Sequence, residues 1–533
     1  MQTMGNTVIN KLRNLTIARR KSPAGPFSFH GGVVLPGNKR ALNNPLVDIT
    51  LPEQMQLPLV NYHGHALSPL VSVGDSVKRG QMLANGIPSP TSGTVEHIGL
   101  RPIAHPSQLS ATTLTITTDG LDQSLLQATD QSPEQHLQHF LKQPVSVITN
   151  AGMLGLGGAA FPTADKVNAW LKKGSSDDAS NSDQHIHTLL INAAECEPEI
   201  ACDEALMQTD AHTIVAGVDA LRQLTDCAHC IIAIENTKTQ AINSMRNALQ
   251  AIHAPVELML IPTIYPTGAE STLIKTVTGQ TLGKHQKPTD KGILCINVAT
   301  AHAMWQAIIG KSLDTRIVSL GGEAMPNPCN ARVRFGTPLT HLLAHSGNAQ
   351  VLANPQIAFR AGGPLSGFGL ADLGVPVTAH SNCLLAVHKT NHVEPQACIR
   401  CGLCADSCPS QLLPQQLHRY AMAEQFELCE KYDLDSCIEC GCCDLVCPSA
   451  IALTDAFRFA KSGAAEKRKQ HQKAQSAEIR FEQREQRQHQ RRQIKQQAIE
   501  ARKRDLENQR AEAGKVSSTL ERIRARQQAK KPK

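Results

Sequence analysis

Apolar and polar positions change rhythm several times along the chain. Over residues 27–120 short alternating apolar stretches are cut by Pro and Gly and end in the strand-like TTLTITTD, which predicts a small all-β unit. Over 145–311 the apolar runs HTLLINAA, CIIAIEN and VELMLIPT alternate with helical periodicity at 205–224 and 239–252. That alternation predicts a parallel sheet with crossover helices. Ligands of such sheets sit beyond the carboxyl ends of the strands, so the loops after LLIN and LMLIP are where chemistry is expected. Residues 316–387 return to short strands with Gly and Pro turns, RIVSLGGEAMPNP and RAGGPLSGFGL, and predict a second β-rich module. A helical, cysteine-bearing segment follows over 388–462. The tract 463–533 is rich in Gln, Lys, Arg, Glu and Ala, with apolar residues (Ile479, Ile494, Ile499, Leu506 and Leu520) too sparse for sustained heptads. It reads as disordered chain or a solvated helix, a soluble tail being weighed against attraction to anionic lipid or nucleic acid.

At 533 residues the chain exceeds what one core usually holds, so several units are expected. Aromatic residues make up only 3%, which points to cores of Ala, Val, Ile and Leu. No uncharged apolar run is long enough to cross a bilayer, and Met1 to Arg20 lacks the apolar stretch of an export signal, so a cytoplasmic location is expected. The net charge of +7 owes its basicity to the residues after Lys461, and no nucleic acid partner is expected. Leu70 to Leu83 and Pro90 to Ile98 resemble the half-motifs of lipoyl-like, barrel-sandwich domains. The carrier version needs a lysine at an exposed hairpin tip, and the candidate tip, Pro88 to Gly93, has none; the expected use of the fold is architectural.

Seventeen cysteines in a reducing compartment do not read as a disulfide framework, and ten of them lie between Cys398 and Cys447. Two copies of C-x-x-C-x-x-C-x-x-x-C-P stand at Cys398 to Pro409 and Cys437 to Pro448. Such a loop wraps a cubane iron-sulfur cluster with three thiolates, and by the pairing seen in two-cluster ferredoxins the fourth cysteine reaches the other cluster. On that pattern Cys398, Cys401, Cys404 and Cys447 hold one [4Fe-4S] cube, and Cys437, Cys440, Cys443 and Cys408 the second. Zinc is the structural alternative, but its sites use two C-x-x-C pairs or Cys with His, which leaves this double spacing unexplained. Cys442 reads as a thiol beside the ligands and Cys429 as a small buried hydrophobe. Cys227 and Cys230 form a lone C-x-x-C where a helix runs into a strand, and packing is the favoured reading. Two adjacent clusters with no substrate-activating position mean electron relay.

Gly155 to Thr163 (GLGGAAFPT) packs small residues before a predicted helix, where free N–H groups can approach a phosphate. Taken alone this is a weak signal. Yet Gly155 to Lys166 resembles the G-R-G-G-A-G-F-P-T-x-x-K segment of the flavin and NADH-binding subunit of respiratory complex I, and Asn192 to Pro198 resembles its N-A-D-E-x-E-P loop. Tyr265 to Ser271 is similar to its Y-x-x-G-E-E-T, and Asn297 to Thr300 to its N-V-E-T. Ala194, Ala269 and Ala299 stand where that subunit has acidic residues, and Ile296 where it has Asn.

Adding FHGGVVLPGNK and the two ferredoxin-type motifs, the chain from Phe27 to about Ser462 closely resembles the RnfC (RsxC) family, a component of the Rnf electron transport complex. The resemblance implies a multidomain α/β plus β fold. Its parts are a barrel-sandwich unit, a Rossmann-like flavin domain, a β-grasp-like (SLBB) module, a helical ferredoxin-like domain with two [4Fe-4S] clusters, and the polar tail. It implies FMN phosphate on the amides of Gly155, Gly157, Gly158, Ala159 and Ala160 with Lys166, and flavin or ribityl contacts from Asn192, Asn297 and Thr300. Glu195, Glu197 and Glu270 would shape the nicotinamide side. It implies NAD(H) as substrate and no side chain acting as acid, base or nucleophile. Partner subunits, membrane-spanning ones and a ferredoxin-like one among them, would couple the electron flow to ion movement, with this chain peripheral on the cytoplasmic side of the inner membrane. The rival readings are a soluble NADH diaphorase subunit of a hydrogenase or formate dehydrogenase, and a flavin-free two-cluster carrier scaffold.

Overall fold

The computed structural model describes residues 27–61, 64–125, 131–174, 186–284, 286–389 and 394–528; the reading of Met1 to Arg20 lies outside them. The chain divides into two compact units, Met1–Phe459 and Ala460–Lys533.

In the first unit, after the short strand β1 (Val47–Asp48), strands β2 (Gln54–Pro58), β3 (Ser76–Val77), β4 (Met82–Ala84), β5 (Ile87–Pro88), β6 (Gly93–Pro102) and β7 (Ser110–Thr118) form a four-stranded sheet in the order β2-β7-β6-β3 and the pair β4-β5. Their inward positions, Leu57, Val77, Leu83, Val95, Leu114 and Ile116, make one apolar core, as strands alternating in and out require. The segment Pro88 to Gly93 is not a tip. Ser89, Thr91 and Ser92 are buried, and Arg334 Nη1 donates to the Pro90 carbonyl at 2.7 Å. A swinging carrier arm is therefore excluded by burial as well as by the missing lysine.

Helices α1 (Pro133–Lys142) and α2 (Pro144–Asn150) already put Phe140 and Ile148 into the main α/β core, so packing of that domain begins before residue 145. Ser132 starts α1 with a reciprocal capping box to Gln135. Then come α3 (Thr163–Gly174), β8 (Thr188–Ala193), α4 (Cys202–Thr209), α5 (Ala211–Thr225), β9 (His229–Glu235), α6 (Thr239–Ile252), β10 (Glu257–Ile261), α7 (Glu270–Thr278), β11 (Ile293–Asn297) and α8 (Val298–Ile308). The sheet is parallel throughout, in the order β10-β9-β8-β11. Its central strand β8 is buried along almost its whole length, whereas the edge strand β10 is half exposed. The single helix expected over 205–224 is two: the chain breaks at Asp210, whose carboxylate takes Arg332 Nη2 at 3.0 Å.

Strands β12 (Thr315–Gly321), β13 (Cys329–Arg334), β14 (Ile357–Ala361), β15 (Phe368–Leu370) and β16 (Cys383–His388), with helix α9 (Leu339–His345) between β13 and β14, build the β-rich module. Its six-stranded sheet runs β1-β13-β12-β16-β14-β15, so it recruits Val47 and Asp48 from outside the expected 316–387. Short helices α10 (Leu403–Asp406), α11 (Pro414–Met422), α12 (Phe426–Lys431) and α13 (Cys442–Val446) form the cysteine-rich part. Helix α14 (Leu453–Gln528) then makes up most of the second unit, where 466–528 are exposed throughout. Of the two readings of the tail, the solvated helix is the one observed.

Candidate functional site

Strand order locates the first site. The chain moves from β8 out to β9 and β10, then returns to place β11 on the other side of β8. Crossovers leave in opposite directions at that switch point and open a crevice beyond the carboxyl ends of β8 and β11. Asn192 and Asn297 are register partners there. Asn192 Nδ2 donates to the Gly268 carbonyl at 2.8 Å, joining the β8 loop to the turn before α7. The Asn297 side chain caps α8 by accepting from Ala299 and Thr300 N–H, and its Nδ2 donates to Asp203 Oδ2 at 2.7 Å.

The glycine-rich loop closes over this end of the sheet. Gly155 N–H donates to the Phe161 carbonyl, and Leu156 N–H to Thr300 Oγ1 at 2.8 Å. Gly158 and Ala160 adopt positive φ, +98° and +47°. Among the described residues the N–H groups of Gly157, Gly158 and Ala159 have no protein acceptor, while Ala160 closes the turn 156–159. Three such amides at the entrance of a helix suit a phosphate. Lys166, on the first turn of α3, donates to Glu270 Oε1 at 3.0 Å and to the Cys295 carbonyl at 3.2 Å. The loop, Lys166, Asn192, Glu270, Asn297 and Thr300 thus converge, and the donor set fits FMN. A separate cavity of about 840 Å³ runs along α8; it meets the loop at Leu156, and none of those convergent side chains lines it.

Glu195 and Glu197 are placed differently. Both are buried and engaged by protein groups. Glu195 accepts from Cys202 Sγ and from the Asp203 and Glu204 N–H groups, and lies 3.8 Å from Lys238 Nζ and 4.0 Å from Lys39 Nζ. Burial alone would raise its pKa, but the two ammonium groups and these donors outweigh burial and hold it below the usual carboxylate range. Glu197 accepts from Leu365 N–H, Ser366 N–H and Ser366 Oγ at 2.6–2.8 Å. Of the three acids expected at the nicotinamide, the structure brings only Glu270 to Lys166. Asp203, which no motif marked, is a buried carboxyl raised to about 7 by burial and the neighbouring Glu195 charge.

The cysteine-rich part is an internal repeat with an offset of 39 residues, from Cys398 to Cys437 onward. Three left-handed residues recur at that offset: Arg400 and Glu439, Gly402 and Gly441, Gln411 and Ala450. So do the turn bonds, Ala405 N–H to Gly402 O with Asp444 N–H to Gly441 O, and Gln411 N–H to Cys408 O with Ala450 N–H to Cys447 O. Alternating hand turns successive N–H groups to one side, as binding of an anionic cluster needs. Cys408, from the first copy, lines one small cavity with Cys437, Cys440 and Cys443 of the second. Cys442 also lines it; a cavity walled by thiols with no imidazole suits an iron-sulfur cube rather than zinc. Burial raises the thiols of Cys404, Cys408 and Cys443, so metal must displace their protons. In the other set Cys398 and Cys401 are exposed, Cys404 is half-buried and Cys447 buried; the chain at 396–397 is tied beside Cys447 by Gln396 N–H to Ser449 O and Ser449 Oγ to Ala397 O.

Cys442 is buried among Val33, Tyr265 and Leu365, and its thiol hydrogen-bonds that of Cys440. Cys429 is fully buried, its thiol 3.9 Å from the Leu417 carbonyl. Cys227 and Cys230 hydrogen-bond each other near the amino end of β9, away from the crevice.

What the sequence did not announce is how the two sites touch. Tyr265, in the turn before α7, donates its hydroxyl to the Cys440 carbonyl at 2.7 Å. The segment His30 to Lys39 runs between them. Gly32 N–H donates to Ser407 O at 2.9 Å, Val33 bridges Tyr265, and Lys39 Nζ donates to the Glu195, Glu197 and Ile200 carbonyls. A Cβ at Gly31 would stand 2.6 Å from Ser407 O, so only glycine permits this approach.

Comparison with known proteins agrees with this division. Residues 27–121 match the family model of the RnfC barrel sandwich hybrid domain, 148–306 that of the Nuo51 FMN-binding domain, and 397–451 that of the 4Fe-4S dicluster domain. The C subunit of the ion-translocating oxidoreductase complex of Pectobacterium carotovorum subsp. carotovorum is 39% identical over 94% of this chain and 66% of its own length. Its counterpart in Pectobacterium atrosepticum is 39% identical over 94% and 71%, and that in Pseudomonas aeruginosa 39% over 86% and 58%. The chain therefore spans 58–71% of the length of these three relatives. An NAD+-reducing [NiFe]-hydrogenase structure is similar over 63% of this chain and 65% of that one, with a TM-score of 0.44 and 16% identity.

Proposed function

Because the chain belongs to the C-subunit family of ion-translocating oxidoreductase complexes, with an FMN-binding domain and a 4Fe-4S dicluster domain, we propose that it relays electrons between NAD(H) and the other subunits. When bound, FMN exchanges electron pairs with a nicotinamide and single electrons with iron-sulfur clusters. The chain's own task is holding and spacing. The Gly155 amide, expected on the phosphate, is instead held by the Phe161 carbonyl, and the Leu156 amide by Thr300 Oγ1; the amides of Gly157, Gly158 and Ala159 with Lys166 would take it, and Asn192, Asn297 and Thr300 would fix the flavin edge at the switch point. Glu270 is the acid we assign to the nicotinamide side. Glu195 and Glu197 set the shape of the loop through Lys39, Lys238 and Ser366.

The observation that carries the reading is the hydroxyl of Tyr265 on the carbonyl of Cys440: a residue of the flavin motif touches the loop of one cysteine set. We assign Cys408, Cys437, Cys440 and Cys443 to the cube nearer the flavin, and Cys398, Cys401, Cys404 and Cys447 to the cube that meets a partner, because Cys398 and Cys401 lie at the surface. No helix among the described residues is long and apolar enough to cross a membrane. Our reading is a peripheral component on the cytoplasmic face of the inner membrane, docked to integral subunits and a ferredoxin-like one. The α/β domain, entered from Pro133, is read as Rossmann-like, and the β-rich module, with β1 added to residues 316–387, as the β-grasp-like SLBB unit; the cysteine-rich part runs to Phe459 and the tail from Ala460.

Cofactor content tests this. Anaerobically purified protein should hold about eight iron, about eight sulfide and about one FMN per chain. Lys166→Ala should lower FMN retention at least about ten-fold, the effect of losing one charge-assisted contact to phosphate, with iron unchanged. Zinc in place of iron, or FMN retention indifferent to Lys166, would refute it.

A further inference from the structure

The second unit carries a charge pattern that electron relay does not use. Lys473, Arg480, Arg484, Arg487, Arg491 and Lys495 recur at spacings of seven, four, three, four and four residues within one unbroken helix, so they stand on one ridge. At about 100° per residue they fall within roughly a quarter of the circumference, and at about 1.5 Å per residue the ridge is ~33 Å long. Glu478, Glu482 and Glu485 recur with the same period on the opposite side. All nine are exposed. Among the described residues none of the six basic side chains pairs with a carboxylate; Arg480 and Arg487 instead donate Nε to the Ser476 and Gln483 carbonyls of their own helix.

This segregation works against an isolated helix. Arg480 with Arg484, Arg487 with Arg491, and Arg491 with Lys495 are like charges one turn apart, which repel; interleaved Glu would have relieved them and kept the tail equally soluble. An anionic surface along the ridge offsets that repulsion. The ridge itself is made of cationic side chains, with Phe481 and Ile494 exposed at its two flanks, so its main attraction is to a charged surface that lies along one face of the helix. A nucleic acid groove would enclose more than one face of a helix and bring phosphates towards the carboxylate side.

We propose that this ridge is a docking surface for anionic phospholipid headgroups, holding the chain against the bilayer chiefly by electrostatics. The choice of a membrane over other anionic surfaces rests on the proposed membership of a membrane-bound complex; the ridge itself does not.

The test is co-sedimentation of the full, cofactor-loaded chain with phosphatidylcholine vesicles, with and without phosphatidylglycerol. Binding should require phosphatidylglycerol and vanish at about 1 M salt, where screening reaches ~3 Å. Replacing Arg480, Arg484, Arg487 and Arg491 together by Gln, which keeps the helix, should weaken partition about five-fold per residue and hence several hundred-fold in all. A second variant, Arg492, Lys503, Arg504 and Arg510 to Gln, removes the same charge off the ridge and should keep binding within about ten-fold of the parent. Equal loss in both variants would overturn the ridge. So would equal binding to vesicles without anionic lipid, or a ridge variant that loses duplex DNA or RNA binding while still partitioning to vesicles. Iron and FMN content, read on the same samples, should not move in either variant, so failure here leaves the electron-transfer reading standing.

Discussion

Asp203 shows how a single carboxyl is shaped by its surroundings. It is buried beside Glu195, whose charge is held by Lys39 and Lys238, and it accepts from the Asn297 amide. Its folded-state pKa rises to about 7 from the ordinary aspartate value of 3.8. Between those values the folded chain keeps a proton that the unfolded chain has lost, so stability falls as pH rises through the window and the full penalty is present above it. Asp203→Asn keeps an acceptor for Asn297 without the charge. Its advantage over the parent should grow by on the order of 2–4 kcal/mol between pH 5 and pH 8, seen as a thermal midpoint that lies above the parent's by more at the higher pH than at the lower. An equal difference at both pH values would contradict the assignment. Asp203 was invisible in the sequence because its neighbours come from three separate segments. The same holds for Glu195 and Glu197: the motif marks them as acids in a strand-end loop, but Lys39, Lys238 and Ser366, which decide what they do, lie 43 to 169 residues away.

At the scale of elements, α5 and α8 cross so closely that a Cβ at Gly217 would lie 1.9 Å from the Ala301 carbonyl. Backbone, not a side-chain tip, would have to move. Since α8 carries Asn297 and Thr300 at its start, Gly217→Ala should cost about 1–3 kcal/mol and also weaken FMN retention, with iron content unaffected. Thermal unfolding and flavin content on one preparation check it; loss of stability with full flavin retention would show that the crevice does not depend on this packing. Elements with a strong period were legible: the buried run TLLINA at β8, the alternation of strands and helices, and the two cysteine loops with their offset. The break at Asp210 was not, because Gln208-Thr209-Asp210 continues a tolerable helical pattern. Arg332, from the β-rich module, is what engages the Asp210 carboxylate. The exposed helix of the tail remained ambiguous for the opposite reason, having no packing partner to reveal itself in a pattern.

Over the first unit, the domains are joined at the point where the proposed relay would cross from flavin to cluster. The stretch from His30 to Lys39 lies against Ser407 and Cys408 on one side and Tyr265 and the 195–200 loop on the other, while Glu197 reaches Leu365 and Ser366. Leu365 in turn lies against Gly441, within the second cysteine loop. The four flavin motifs and the two cysteine motifs each declared a cofactor in sequence. That they abut could be learned only from contacts spanning more than 160 residues, such as Tyr265 to Cys440. If this contact makes one conductor of the two sites, adding NADH to the anaerobic, FMN-loaded chain should bleach the iron-sulfur bands, and the bleaching should disappear when FMN is removed and return when it is restored. Cluster bands that stay unchanged in fully loaded protein, or that bleach equally without FMN, would show that the two sites do not form one path.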